Sequence, residues 1–302
     1  MKKISWITHP QYDIPLPKNH KFTSSKFSDL YNELNRIGLI DSADIFIPEK
    51  ASIKDLCLVH EEKYIQKIVN GSLEGFEERR LGLKWSTELV NRSFLAVNGT
   101  LLTAMKAIEN GIACHIAGGT HHSHFNFGSG YCVFNDLAYS SIQLINKNLV
   151  KKILIFDCDV HQGDGTASIL ENNNNVFTCS IHCKNNFPAR KSKSNLDVEL
   201  EDNLNSDQYL TVLNKTLQEC TNQFKPDLVL YDAGVDIHVN DELGKLKVDD
   251  DGLRARDETV LNYFKNLSTP IATVIGGGYS KNNFELAQRH SSVFKAAKNI
   301  FL

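Results

Sequence analysis

Five short apolar runs constrain this chain more than any other feature: "IACHI" from Ile112, "KILIF" from Lys152, "VFTCSI" from Val176, "DLVLY" from Asp227 and "IATVI" from Ile271. They are continuous rather than alternating and rich in Ile, Val and Leu, the signature of strands covered on both faces. "ISWIT" from Ile4 reads as an earlier strand. Helical spacing fills the gaps. Phe27, Leu30, Tyr31 and Leu34 share one face of a segment closed by Gly38, and Tyr64, Ile65 and Ile68 share another. The longest helix is expected from a cap at Ser86 or Thr87 to a stop at Gly111, and others over 137–146, 206–224, 253–267 and 283–300. Strand–helix–strand in this rhythm predicts an α/β fold, a mostly parallel sheet with helices on both faces. Neither a repeat nor a composition break divides the 302 residues, so 1–302 is read as a single domain, and "ENNNNV" as a loop.

Bulk chemistry narrows the function. The formal net charge of −3 gives no field that would draw the chain to nucleic acid, and the brief basic run "ARKSKS" (189–194) reads as a solvated loop. No stretch approaches the ~18 apolar residues of a membrane-spanning helix, and the apolar start is broken at His9. Seven cysteines, an odd number without a C-x-x-C pair, point to reduced thiols and a cytoplasmic protein.

The unusual residues follow the strands. "IACHI" leads into "AGGTHHSHFNFGSGY", "KILIF" into "DCDVHQGDGT", "LVLY" into "DAGVD", and "IATVI" into "GGGY". Ligands of open parallel sheets bind beyond the carboxyl ends of the strands, so four segments deliver His, Asp, Gly and Tyr to one edge. Asp159 and His161, two apart, project to the same side and can converge on one ion. A catalytic metal site needs a third donor and an open position, and Asp236 is the best candidate. This set lacks a thiolate, so zinc fits and iron(II) fits the same donors. The tandem His121 and His122 each need a partner to fix a tautomer, and Asp157 and Asp164 remain to supply one carboxylate apiece. His124 is left as a surface residue. Tyr279, after three glycines, is placed to donate to an oxyanion.

In this order and spacing, "GGTHHSHFNFGSGYCVFND", "DCDVHQGDGT", "DAGVD" and "GGGY" resemble the zinc-dependent histone deacetylases of the arginase–deacetylase fold. "HPQYDIPLPKNHKF" and "GVDIHVNDELGKLKVDDDGLRARD" resemble the class IV branch and its bacterial relatives, and the likeness runs from Pro10 to Tyr279. The resemblance implies zinc on Asp159, His161 and Asp236, and a His121–His122 dyad backed by Asp157 and Asp164. Class IV-like members often carry Asn where this chain has Asp164, which implies a more strongly polarised His122. It also implies Tyr279 on the substrate carbonyl, and potassium near Asp157 and Ser180. Gly130, Tyr131 and Phe187 would line the acyl-lysine tunnel, with Tyr131 where most members have Phe. Leu243 matches the position at which polyamine deacetylases of the family carry a glutamate, although Glu242 is adjacent. The expected substrate is acylated lysine in a protein or peptide, acetyl or longer. An acetylpolyamine amidohydrolase and a catalytically silent acyl-lysine reader are the alternatives. An arginase-like two-manganese site is disfavoured because no second Asp follows Asp236 by two positions.

Overall fold

A computed structural model describes residues 3–302. Its strands are β1 (Ile4–Ile7), β2 (Ala43–Phe46), β3 (Ile112–His115), β4 (Ile153–Asp157), β5 (Val176–Cys183), β6 (Leu196–Leu200), β7 (Leu228–Asp232) and β8 (Ile271–Val274). They form one sheet, every pairing parallel, in the order β2-β1-β3-β8-β7-β4-β5-β6. Strands β3, β4, β7 and β8 carry the polar motifs, and they are the four central neighbours of the sheet. The sheet therefore gathers segments 116–131, 158–164, 233–236 and 276–279 at its middle.

The helices are α1 (Lys26–Arg36), α2 (Ile53–Leu56), α3 (Glu62–Asn70), α4 (Gly75–Leu81), α5 (Thr87–Asn110), α6 (Asp136–Asn146), α7 (Asp164–Leu170), α8 (Ser206–Gln223), α9 (Asp250–Asn266) and α10 (Asn283–Phe301). Among them α5 packs across β1, β3 and β8 and against α6, whereas α10 packs on α1 and α9. Helix α5 starts where Ser86 Oγ accepts the Leu89 N–H, as the cap chemistry of the sequence predicts, and stops at Gly111, whose φ is +86°. β3, β4, β5, β7 and β8 are buried at every residue, as the continuous apolar runs require. None of the described helices is long and apolar enough to cross a membrane.

Two strands have no counterpart in the sequence reading. β2 ("ADIF") and β6 ("LDVEL") are the sheet edges, half in solvent, so their apolar runs are cut by acids. The segment 189–194 is irregular, but Lys191 is more than a solvated charge: its Nζ donates to the carbonyls of Asn186 and Pro188, 2.7 Å each.

Candidate active site

At the tip of β4 the chain turns out of the sheet, bringing Asp159 and His161 to face Asp236 from the end of β7. His161 Nδ1 lies 3.0 Å from Asp159 Oδ1 and 3.1 Å from Asp236 Oδ2. All three residues are buried, and their donor atoms lie within 4.8 Å of one another. Backbone amides hold the carboxylates: Val160 N–H donates to Asp236 Oδ1 (2.8 Å) and Gly277 N–H to Asp159 Oδ2 (2.6 Å). The glycine before Asp236 is a steric requirement, because a Cβ on Gly234 would sit 2.5 Å from Asp159 Oδ2. Burial alone would lower the His161 ring, yet hydrogen bonds to Asp159 and Asp236 hold it up to about 10. So many buried acceptors around one imidazole demand a positive charge, and the oxygen–oxygen–nitrogen donor set is one that a divalent ion fits.

The dyad sits beside this triad. His121 Nδ1 faces Asp157 Oδ2 at 2.7 Å, His122 Nδ1 faces Asp164 Oδ1 at 2.7 Å, and the two Nε2 atoms are 3.2 Å apart. Each histidine thus has the carboxylate that the sequence offered. Their protonation is split. Burial opposes charge on His121, but Asp157 and Asp159 outweigh it and raise the ring well above its usual range. Burial and then the positive His121 depress His122 to about 4 despite Asp164, so His122 is neutral at pH 7. One ring is charged and its neighbour is a free base.

His124 corrects the surface reading. Its Nε2 meets Asp164 Oδ2 at 3.0 Å and its ring stacks on Phe127. Asp164, in the first turn of α7, is therefore shared between two histidines, and its polarisation of His122 is divided.

The Tyr279 side chain is buried, its ring 5.9 Å from Tyr131 and 6.2 Å from His161. Burial, then the charges of Asp159 and Asp236, raise the phenol far above its usual range, so it stays an O–H donor. Phe187 is 45% exposed and presents its ring to His122 at 4.8 Å, nearly perpendicular. Tyr131 is half-buried at φ +66°, against Phe22 and His20. Gly130 has no room for a side chain, since a Cβ would lie 2.6 Å from the His122 ring. Leu243 packs partly buried against the core, while Glu242 forms an ion pair with Lys21 at 2.6 Å. Ser180 is in register with Asp157, and its Oγ lies 3.0 Å from His182 Nδ1.

Four site residues lie outside the set that the sequence singles out. Asp241 accepts the Tyr279 N–H through Oδ2 (2.7 Å) and the Leu243 and Gly244 N–H groups through Oδ1 (2.8 Å each), pinning the tyrosine loop to the loop after Asp236. Lys26, buried on α1, donates to the Gly276 carbonyl at 2.7 Å. Asp136 caps Gly119 and Thr120 beneath the dyad. Asp232, in register with Asp157 on the neighbouring strand, joins His121 and Asp157 in a second group of donor atoms within 4.8 Å.

Asp232 is 0% exposed and neither carboxyl oxygen has a hydrogen-bond partner. Burial and the charge of Asp157 push it well above the usual carboxylate range. A raised native pKa contributes stability that is whole below the unfolded value of about 3.9 and is lost as pH rises. In the chelator-treated protein, Asp232→Asn is therefore expected to gain stability relative to wild type as pH rises from 4 to 8. Urea unfolding at both pH values checks this, and a gain that shrinks toward pH 8 contradicts it.

The histone deacetylase domain, as a family profile, matches residues 20–296. An uncharacterised protein of Picosynechococcus sp. is 44% identical over 295 residues, 98% of both chains. Histone deacetylase 2 of Arabidopsis thaliana is 31% identical over 94% of this chain and 76% of its own. The acetoin utilization protein AcuC of Bacillus subtilis is 30% identical over 82% of this chain and 69% of its own.

Proposed function

This chain belongs to the histone deacetylase family, and from that premise we propose that it is a zinc-dependent amidohydrolase removing acyl groups from the ε-amino group of lysine in proteins or peptides. Deacetylase hydrolysis follows from the family. The observation that carries the finer reading is a convergence at one sheet edge. His161 meets the carboxylates of Asp159 and Asp236 at about 3 Å, a charged and a neutral histidine stand with Nε2 atoms 3.2 Å apart, and Tyr279, its phenol kept protonated, lines the same pocket as His121, His122 and Asp159. The class IV-like bacterial branch is assigned on the motifs around Pro10 and Asp236. We take 1–302 as one catalytic domain and, on its cysteine pattern, as a cytoplasmic one.

Asp159, His161 and Asp236 would hold one Zn²⁺, with Fe²⁺ suiting the same donors. When bound, such an ion polarises the acyl carbonyl and acidifies a water. The remaining work falls to this chain's side chains. Neutral His122 accepts the water's proton at Nε2, with Asp164 fixing its Nδ1–H. His121 is kept charged by Asp157 and stabilises the negative charge that develops beside it. Tyr279 donates its O–H to the tetrahedral oxyanion. The protonated dyad then returns a proton to the departing amine. Potassium is assigned to the Asp157 loop and Ser180, in register across β4 and β5.

The tunnel is assigned to Gly130, Tyr131 and Phe187. Engagement of Glu242 by Lys21 supports Leu243 as the gate position and argues against a polyamine substrate, because the nearby carboxylate already has its cation. The test is kcat/KM of zinc-loaded protein on one peptide bearing acetyl-, octanoyl- or myristoyl-lysine, with N8-acetylspermidine alongside. Turnover of any lysine peptide at least tenfold above the polyamine is expected. Acetylspermidine as the best substrate would overturn the gate assignment, and no turnover of any of them would leave only a reader.

A further inference from the structure

The segment "GLRARD" lies in α9, outside the catalytic constellation, yet it contains two charged residues with no exposure at all. Arg256 and Asp257 are both 0% exposed. A fully buried ion pair is costly and weak as a source of stability, so its hydrogen bonds indicate what it does. Arg256 Nη2 donates to the carbonyl of Ala233 at 3.1 Å, and Nη1 donates to the carbonyl of Gly234. Asp257 Oδ1 takes Arg256 Nε at 3.0 Å and Nη2 at 2.9 Å, and also the Tyr231 O–H at 2.7 Å.

Those two carbonyls belong to the stretch that leaves the sheet toward Asp236. On the β8 side the ladder continues past the strand end, with Ala233 N–H on Val274 and Val235 N–H on Gly277. On the β4 side the last backbone bond joins Cys158 N–H to the Asp232 carbonyl, and by Val160 the amide has turned to the Asp236 side chain instead. The guanidinium fills the gap that opens there. It holds the backbone of Gly234, the residue packed on Asp159, two positions before Asp236. Both carboxylates of the donor triad thus meet the segment that Arg256 fixes. Only a planar fork with several donors can hold two successive carbonyls and a carboxylate together.

We propose that Arg256, oriented by Asp257 and Tyr231, is a positioning residue that sets the Asp236 segment for metal binding; the proposal rests on the reading of Asp159, His161 and Asp236 as metal ligands. Asp257 and Tyr231 orient the guanidinium, and the guanidinium sets the loop. Removing such outer partners of a metal site costs about 10–100-fold in affinity.

The experiment is a zinc competition titration against a chromophoric chelator, with thermal unfolding of the same metal-free samples. Arg256→Lys keeps the charge but loses the fork, and should weaken zinc by about tenfold or more. Tyr231→Phe keeps the pair and removes one hydrogen bond to it, and should weaken zinc by a smaller factor. Asp249→Ala removes the N-cap of the same helix, where Asp249 accepts the Gly252 N–H at 2.8 Å. It should lower Tm and leave zinc affinity within about twofold, because a cap supports only the helix. Folded Arg256→Lys and Tyr231→Phe proteins that bind zinc as wild type does would overturn the proposal. So would an affinity loss that merely follows Tm and is matched by Asp249→Ala. Wild-type protein that takes up no zinc, or keeps it in Asp236→Asn, would instead defeat the underlying metal reading.

Discussion

Replacing Tyr279 with phenylalanine is expected to lower kcat by about 10²–10³ while leaving KM nearly unchanged. The ring stays in place, since the residue's backbone N–H is held by Asp241 and the ring packs beside Tyr131 and His161. Only the O–H is lost. Burial and the charges of Asp159 and Asp236 keep that phenol protonated, so wild type presents a donor throughout the neutral range. A donor aimed at developing charge acts in the transition state and not on the bound amide, so the loss belongs in kcat. Steady-state kinetics on an acyl-lysine peptide measure it. A variant within tenfold of wild type would remove Tyr279 from the chemistry.

The second large effect is expected at Asp236. Asp236→Asn preserves shape and keeps an oxygen for the Val160 N–H, so the loop should hold its course. It removes one of two anionic donors from the triad. Bound metal should fall from about one equivalent per chain to nearly none, and hydrolysis to background. Metal analysis after gel filtration gives the first number and a peptide assay the second. Activity retained without metal would separate catalysis from the triad, and retained metal would show that Asp236 is not a ligand.

Much of this site is written in the sequence because its residues follow strands. A buried parallel strand is an uninterrupted apolar run, so a histidine or aspartate just past its end stands out and its placement at the sheet edge is forced. His121, Asp159, His161, Asp236 and Tyr279 were legible for that reason, and so was each dyad carboxylate. Residues that serve the site from elsewhere were not. Lys26 sits in a helix where a lysine resembles any exposed charge, and nothing local says that its Nζ reaches the Gly276 carbonyl. Arg256 and Asp257 belong to a helix start crowded with acids, and their burial depends on where α9 meets β7. Asp232 opens "DAGVD" without a role of its own there, and its significance appears only when β7 is laid in register beside β4. The edge strands β2 and β6 were missed because an edge needs only half a covering and tolerates the acids that disguise it.

One metal ion, held by Asp159, His161 and Asp236, is proposed to make this chain an acyl-lysine hydrolase. The most direct test is to strip the protein with chelator and titrate zinc back while following amine release from an acetyl-lysine peptide. Turnover should rise in proportion to zinc and level off at about one equivalent per chain. Turnover that ignores the chelator, or that starts only as a second equivalent binds, would rule out hydrolysis on a single ion at Asp159, His161 and Asp236; the latter would direct attention to the second donor group at His121, Asp157 and Asp232.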